Sequence, residues 1–382
     1  MNNPVIKNLF SPTYGSNSFN FIQKLANILT NTAGFGVYIE PIIQLLSPNW
    51  KSGKISAEIT AVRHESSNIY TLVLKPSSKW QAFKAGQFVQ LSAEINGSLI
   101  TRTFSISSEP AYFKTNEKIE LTIRSQDQGL LTPWLQTTAK PGNTVYLSQA
   151  NGDFILKNQQ PKKLFIAAGS GITAIRPILK QYKNDAWFKD AQLLFYVKNR
   201  TESLFLEDLN ALETYGLTYT YIYSEESGRI CQSHLDEFCD NLTEREVYVC
   251  GPPKMIEATQ QLLKENKVTE SNIYFEYFGP PPLKMTDFSL NDDEEFIQVD
   301  YLNSKKQVSY KAEQTPKTLL DIAESEGLKP VSGCRIGVCH QCICKKKQGR
   351  VFNIKTKKYS DSGSEEIQLC LSVPVGHVEL EL

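Results

Sequence analysis

The chain has 382 residues, 41% of them apolar and 21% charged, with 41 basic residues balanced by 41 acidic ones. A chain of that length buries more than one core, so two or three domains are expected. Zero formal charge without a basic stripe argues against nucleic acid as a partner, and eight cysteines are too few for a disulfide scaffold, which points to thiols or metal ligands in a reducing compartment. MNNPVIKNLF lacks the apolar core of a secretory signal, and no run approaches about 18 consecutive apolar residues. The expected location is the cytoplasm, at a membrane only peripherally and through a partner.

Residues 1–53 mix Asn, Ser, Thr and Pro, and their apolar stretch VYIEPIIQLLSPNW is interrupted by Pro41 and Pro48, so they read as an N-terminal extension. Two readings of 35–50 stand side by side: an interfacial anchor, or packing on the next domain, which the scarcity of cations favours. From 54 to 157, KISAEITAVRH, NIYTLVLK, QFVQLSAEI, LITRTFSIS, KIELTIRS and NTVYLSQ alternate in polarity between Gly, Pro and Asn turns, the pattern of an antiparallel β-barrel. From 158 to 280, the buried strands KLFIAAG, QLLFYVK, TYTYIY and REVYVCG alternate with helical stretches such as AIRPILKQY and MIEATQQLLKEN, which predicts an α/β domain with a parallel sheet. Residues 281–295, proline-rich and then acidic, read as a linker. Residues 296–382 return to strands around one helix, TLLDIAESEG, with Thr315 and Pro316 as start signals and Gly327 as the stop. The fold class expected is multidomain: β-barrel, parallel α/β, and α+β.

Cys334, Cys339 and Cys342 stand at C-x4-C-x2-C spacing, followed by a distant Cys370, the plant-type [2Fe–2S] arrangement. Bends at Gly333 and Gly337 would let the loop wrap a compact cluster. Zinc would want a second paired half, and a Rieske centre two histidines; only the solitary Cys370 and His340 are at hand. Cys344 is surplus to a four-ligand set and reads as a small buried residue. Lys345, Lys346 and Lys347 form either a docking patch or a solvated strand end.

A one-electron cluster needs a source of electrons. LFIAAGSGITAIRPIL is a strand, a turn of small residues and a helix; Gly169, Ser170 and Gly171 admit a pyrophosphate, and Thr173 stands where a helix start offers N–H groups. YVCGPPKM puts Cys250, Gly251 and Pro252 at a second strand end of the same sheet, where open α/β sheets bind ligands. In TRTFSISS, Arg102, Phe104 and Ser107 alternate along a strand, offering a cation for a phosphate and a ring for stacking. A flavin would convert a two-electron hydride into single electrons.

On these residues the chain resembles the ferredoxin–NADP reductase superfamily. Its signature R-x-[YF]-S-x-x-S is met by Arg102, Phe104, Ser105 and Ser108; its G-x-G-I-T by residues 169–173; its C-G-P-P by 250–253; its E-x-F by Glu276 and Phe278. Within it, SGCRIGVCHQC, the tail CLSVPVGHVELEL and Pro48 with Trp50 are similar to the three-domain reductases that serve bacterial membrane fatty-acid (stearoyl-CoA) desaturases. The resemblance implies a flavin barrel, an NAD(P) domain and a β-grasp ferredoxin domain. It implies that Arg102 holds flavin phosphates, Phe104 stacks on the ring, Ser105 hydrogen-bonds flavin N5, and Gly129 to Thr132 meet the pyrophosphate of FAD, with FMN as the alternative. It implies Cys250 near the nicotinamide C4, making Ser105 and Cys250 the catalytic candidates, with packing at a strand end as the other reading of Cys250. Cys334, Cys339, Cys342 and Cys370 would hold the cluster. Arg200 and Arg229 could meet the 2′-phosphate of NADPH, whereas Glu225 stands where NADP-using relatives often have Arg; NADPH or NADH stays open, with a lean to NADPH. Ala174 replaces the proline common after G-x-G-I-T. The implied activity is NAD(P)H-driven electron transfer through flavin and cluster to an external acceptor, a membrane desaturase or hydroxylase. The alternatives are service to a soluble ring-hydroxylating or other oxygenase, or a redox-sensing binding module.

Overall fold

The computed structural model describes residues 54–382 apart from 128, 158–161, 279–295, 312–315, 334, 336, 338 and 339. The expected extension 1–53 and the linker 281–295 lie outside the described residues. In the first described domain, alternating polarity produces six strands: β1 Ile55–His64, β2 Ile69–Pro76, β3 Phe88–Ile95, β4 Ser98–Ser105, β5 Ile119–Arg124 and β6 Thr144–Leu147. Two short helices, α1 Pro110–Asn116 and α2 Leu131–Thr137, flank β5. The strands pair in the order β4-β3-β6-β1-β2-β5 as an antiparallel half-barrel. Asn96 and Gly97, with φ of 51° and 75°, form the tight Asn-Gly hairpin that joins β3 to β4. That turn sets the register, with Arg102 opposite Leu91 and Phe104 opposite Val89.

The second domain holds β7 Lys163–Ala168, β8 Gln192–Val197, β9 Thr218–Tyr223, β10 Glu246–Gly251 and β11 Ile273–Tyr277, with helices α3 Ile172–Gln181, α4 Leu206–Glu213, α5 Gln232–Phe238 and α6 Pro253–Glu265. All pairings are parallel, in the order β11-β10-β7-β8-β9. Strands β8 and β10 are buried at every position, as expected where helices cover both faces. The chain runs outward from β7 through β8 to β9, then returns to the other side of β7 as β10. The order therefore reverses between β7 and β10, and their C-terminal ends, Gly169 and Gly251, face the crevice where such sheets bind ligands. Arg176 on α3 ties the two domains together. It donates to Ser107 O at 2.6 Å and Glu120 Oε2 at 3.3 Å in the half-barrel, and to Asp208 Oδ2 at 2.6 Å on α4.

The third domain comprises β12 Phe296–Tyr301, β13 Lys306–Lys311, α7 Leu319–Ser325, β14 Ile343–Asn353, β15 Lys358–Tyr359, β16 Glu365–Gln368 and β17 Ser372–Leu380. Its sheet runs β13-β12-β17-β14-β15, with β16 also on β14 and a parallel β12–β17 pair at the centre. Leu319, Leu320, Ile322 and Ala323 of α7 pack on Val299, Phe352 and Val378. The helix starts later than the Thr315-Pro316 signal: Thr318 is the N-cap, its Oγ1 accepting from Asp321 N at 3.2 Å. Thr315 itself lies outside the described residues. A solvated run of three lysines is not what β14 carries. Lys346 is fully buried and donates to Gly349 O, Asp361 O and Gly363 O at 2.8, 2.8 and 2.5 Å, while Lys347 pairs with Glu381 at 2.6 Å. Three carbonyls and Glu365 satisfy the ammonium, which is why a charge can sit there.

Candidate active site

Strand β4 carries the flavin signature to the wall of a cleft of about 330 Å³. Arg102, Thr103, Phe104 and Ser105 line it, and across it stand Gly129, Leu131 and Thr132 at the start of α2. Arg102 Nη1 donates to Thr101 O at 2.8 Å, which sets the direction of the guanidinium. Thr132 Oγ1 accepts from Gln126 N at 3.0 Å, and Thr132 O accepts from Tyr70 Oη at 2.8 Å, so the Gln126–Thr132 turn is fixed from both ends. Ser108 lies outside the lining: its Oγ accepts from Glu120 N at 3.0 Å and braces β5 behind the site. Ser107 Oγ likewise donates to Glu120 O at 3.1 Å.

From the nucleotide domain, Ser170 and Thr173 enter the same cleft. Gly169 has φ of +52°, and Thr173 Oγ1 donates to Ser170 O at 2.8 Å, closing the turn into α3. Gly171 is needed for close packing: a Cβ there would lie 2.1 Å from Cys250 O. Gly251 is less tight, with Met255 Sδ at 3.0 Å and Ala168 Cβ at 3.2 Å from a built Cβ. Pro252 precedes α6 as its N-cap residue. Cys250 is fully buried within the domain core, and that burial, with Glu276 on the adjacent strand adding to it, raises its thiol pKa well above the ordinary value. Arg200 and Arg229 lie away from the cleft lining. Arg200 sits beyond the end of β8, its guanidinium 4.7 Å from the Tyr223 ring centre and 3.5 Å from Glu226; Arg229 is exposed. Glu225 accepts from Asn199 Nδ2 at 3.0 Å and pairs with Lys198 at 3.4 Å, contacts that lower its pKa.

Glu276, Tyr277 and Phe278 close the cleft at the end of β11. Glu276 is partly covered as a residue, but its Oε2 is sealed from water with no hydrogen-bond partner among the described residues, and burial pushes its pKa up to about 8. Thr103 Oγ1, on the opposite wall, is also buried without a partner. Unpaired buried polar atoms cost about 1–3 kcal/mol each. Both residues belong to the cleft lining, and with the Arg102 cation, the Phe104 ring and the Gly129–Thr132 turn the residues present fit a flavin and a nicotinamide.

The last lining residue is Gly333, immediately before the first cluster cysteine. Cys342 and Cys370 are both buried, with Sγ atoms 3.2 Å apart. Cys334 and Cys339 lie outside the described residues. Left-handed turns fall at Arg335, Gly337 and His340, with φ of 58°, 75° and 55°. At Gly337 a Cβ would lie 2.1 Å from Leu371 Cδ1, so any other residue would displace that side chain as well as strain the left-handed backbone. His340 is exposed, and Cys344 is buried, its thiol pushed up to about 11 by burial. A four-thiolate set drawn from a tight loop and the Leu369–Leu371 turn suits a [2Fe–2S] cluster.

Sequence reasoning passed over Arg124 and Glu202. Arg124 ends β5, lines the cleft and donates from Nη2 to Glu202 Oε2 at 2.8 Å. A cation closing the alternating run IELTI was the available signal for Arg124. Glu202 had none, because its partner lies in another domain.

Residues 56–155 match the oxidoreductase FAD-binding domain family, 165–261 the oxidoreductase NAD-binding domain family, and 302–375 the 2Fe-2S iron-sulfur cluster binding domain family. The chain is 24% identical to the NADPH oxidoreductase of Mycobacterium tuberculosis over 344 residues, 89% of this chain and 87% of that protein. It is 24% identical to the glycine betaine monooxygenase reductase subunit of Chromohalobacter salexigens over 364 residues, 87% and 96% of the two. Among solved structures, phthalate dioxygenase reductase superposes with a TM-score of 0.57 at 17% identity, over 86% of this chain and 98% of that one, which shows the shared three-domain fold. Two of these three names are of oxygenase systems, and none is of a desaturase. The chain is thus an NAD(P)H oxidoreductase with ferredoxin–NADP reductase-like FAD-binding and NAD-binding domains and a 2Fe-2S domain, which transfers electrons from NAD(P)H through FAD to the [2Fe–2S] cluster.

Proposed function

We propose that this reductase draws its electrons from NADH in preference to NADPH and delivers them to the iron centre of a separate oxygen-activating protein. One observation supports the electron route above others: a single cleft is lined by the flavin signature, the Ser170–Thr173 turn, the end of β11 and Gly333 of the cluster loop. The proposed donor and converter sites then share one cleft, and the cluster loop reaches its edge at Gly333.

In this reading Arg102 and the Gly129–Thr132 turn hold the flavin phosphates, Phe104 stacks on the ring, and Ser105 donates a hydrogen bond to it. Ser108 acts at one remove, by fixing β5. Ser170 and Thr173 position the coenzyme pyrophosphate beside Gly169 and Gly171, with Arg124 as the cation facing it. Gly251 and Pro252 bound the nicotinamide side, and Cys250 supports them from within the core as a positioning residue. When bound, the flavin supplies the conversion of a two-electron hydride into single electrons that a cluster can take. The neutral form of the Glu276 carboxyl, favoured near pH 7 by its raised pKa, keeps a negative charge out of the space where the nicotinamide would enter. Cys334, Cys339, Cys342 and Cys370 hold the cluster.

The NADH preference rests on charge at the ends of β8 and β9. Lys198 and Arg200, beyond the end of β8, are each paired with a carboxylate, Glu225 and Glu226, which turns the reading away from the NADPH that Arg200 and Arg229 suggested in the sequence. Glu225, held by Asn199 and Lys198, adds a carboxylate that disfavours a phosphate beside it. Changing Glu225 to Arg should raise the NADPH:NADH ratio of kcat/KM by about ten-fold or more; an unchanged ratio would defeat the assignment.

Two acceptors remain in view. The relatives named for oxygenases support an oxygenase component. The cluster segment and tail, similar to those of desaturase reductases, support a membrane fatty-acid desaturase or hydroxylase. Reconstitution with membranes containing a desaturase, against a purified soluble oxygenase, separates them by which one turns over. The internal route is tested by anaerobic addition of NADH or NADPH: flavin bleaching with the low-temperature paramagnetic signal of a reduced [2Fe–2S] centre is expected, and bleaching without that signal counts against it.

A further inference from the structure

We infer that Glu202 is a resident counter-ion of the coenzyme site, holding Arg124 until the pyrophosphate of NAD(P)H displaces it, and so setting how tightly the coenzyme binds. The inference rests on the proposed seat of the pyrophosphate at the Gly169 turn. Arg124 belongs to the flavin domain, and Glu202 to the short turn Arg200–Glu202 of the nucleotide domain. Arg124 Nη2 is 2.8 Å from Glu202 Oε2 and would be 3.8 Å from a Cβ built on Gly169. The guanidinium therefore stands against the open face of the turn that leads into α3, with a carboxylate already on it. One cation faces two claimants.

The two side chains are 25% and 20% exposed, so the competing charges are only partly screened by water. A diphosphate brings two negative charges to the carboxylate's one, and the N–H groups at the start of α3 add to its hold. It takes the cation, and Glu202 must then turn away. The segment around Glu202 carries strain and an unmet bond that suit such a shift. Ser203 Oγ, next in the chain, is buried without a partner among the described residues. Phe205 adopts φ of 62°, a left-handed conformation that bulky residues rarely take, held under the Arg176 guanidinium at 4.4 Å from its ring centre.

A clamp between domains and a competitor for the coenzyme make opposite predictions for one substitution. Isothermal titration of the flavin- and cluster-loaded protein with NAD+, ADP and adenosine would compare the parent with E202Q and R124A. We expect E202Q to bind NAD+ and ADP about two- to five-fold more tightly, the range of a partly exposed ion pair, with adenosine unaffected and the gain lost at high salt. The KM for NADH falls by the same factor while the rate of flavin reduction at saturation is unchanged. E202Q that binds NAD+ and ADP equally or more weakly, with a lowered melting temperature, overturns the inference and leaves Glu202 a clamp. R124A should weaken ADP binding. If it does not, the pyrophosphate is not at the Gly169 turn, and the proposed coenzyme seat fails with the inference.

Discussion

Replacing Gly171 by Ala should separate a glycine kept for packing from one kept for its dihedral angles. A Cβ at Gly171 would sit 2.1 Å from Cys250 O, 2.6 Å from its carbonyl carbon and 3.0 Å from Gly251 N, all backbone atoms of β10 or its end. No rotamer change can relieve such contacts, so the start of α3 must lift off β10 by about 1 Å, the kind of backbone shift that costs about 1–3 kcal/mol. Because every clashing atom belongs to a central strand, the upper end is expected, with a fall of about 5–10 °C in the melting midpoint. Gly169 provides the control. Its φ is +52°, but a Cβ there meets nothing closer than Arg124 Nη2 at 3.8 Å, so Ala should cost about 1 kcal/mol of left-handed strain. Displacing the coenzyme turn by about 1 Å should also lower NADH-driven ferricyanide reduction by up to about a hundred-fold in kcat/KM. Dithionite bypasses that turn and should still bleach the flavin and the cluster of the variant, read from the visible spectrum. If Gly171→Ala proves no less stable and no less active with NADH than Gly169→Ala, close packing of the turn on β10 is not what that glycine provides.

Phe104→Ala should weaken flavin retention by about ten- to a hundred-fold, read by fluorescence of released flavin on dilution; undiminished retention would remove the stacking role. Cys342→Ser should spare ferricyanide reduction and abolish cytochrome c reduction, and a parental cytochrome c rate would refute the order of carriers. Glu276 titrates near pH 8 in the folded chain against an ordinary 4.5, so the folded flavin-free protein holds its proton longer than the unfolded one. Its contribution is fully present below about pH 4.5 and is lost as pH rises to about 8; Glu276→Gln should flatten that part of the stability profile, and an unchanged slope would show the carboxyl to be ionised.

Much of the site could be read locally because its signals are local. The Asn96-Gly97 turn aligns β4 on β3 and thereby places Arg102 and Phe104, and Cys334, Cys339 and Cys342 announce a metal by spacing alone. Short helices without a side-chain cap hid better: α1, α2 and α5 have 7 residues each and no capping hydrogen bond, whereas the equally short α7 is announced by its start and stop signals. Charge misled where its partners came from afar. Lys346 looked solvated beside Lys345 and Lys347, but carbonyls from the Gly349 and Asp361–Gly363 turns enclose it. Gly171 looked like a phosphate glycine, and part of its necessity comes from Cys250, which reaches it only through β10. Arg124 and Glu202 are 78 positions apart and in different domains, so neither residue's neighbourhood in the chain hints at the other. The local motifs therefore identify which groups the chain was built to hold, whereas contacts between domains govern how tightly they are held. Substitutions at such long-range contacts, rather than in the motifs, should tune coenzyme affinity without abolishing electron transfer.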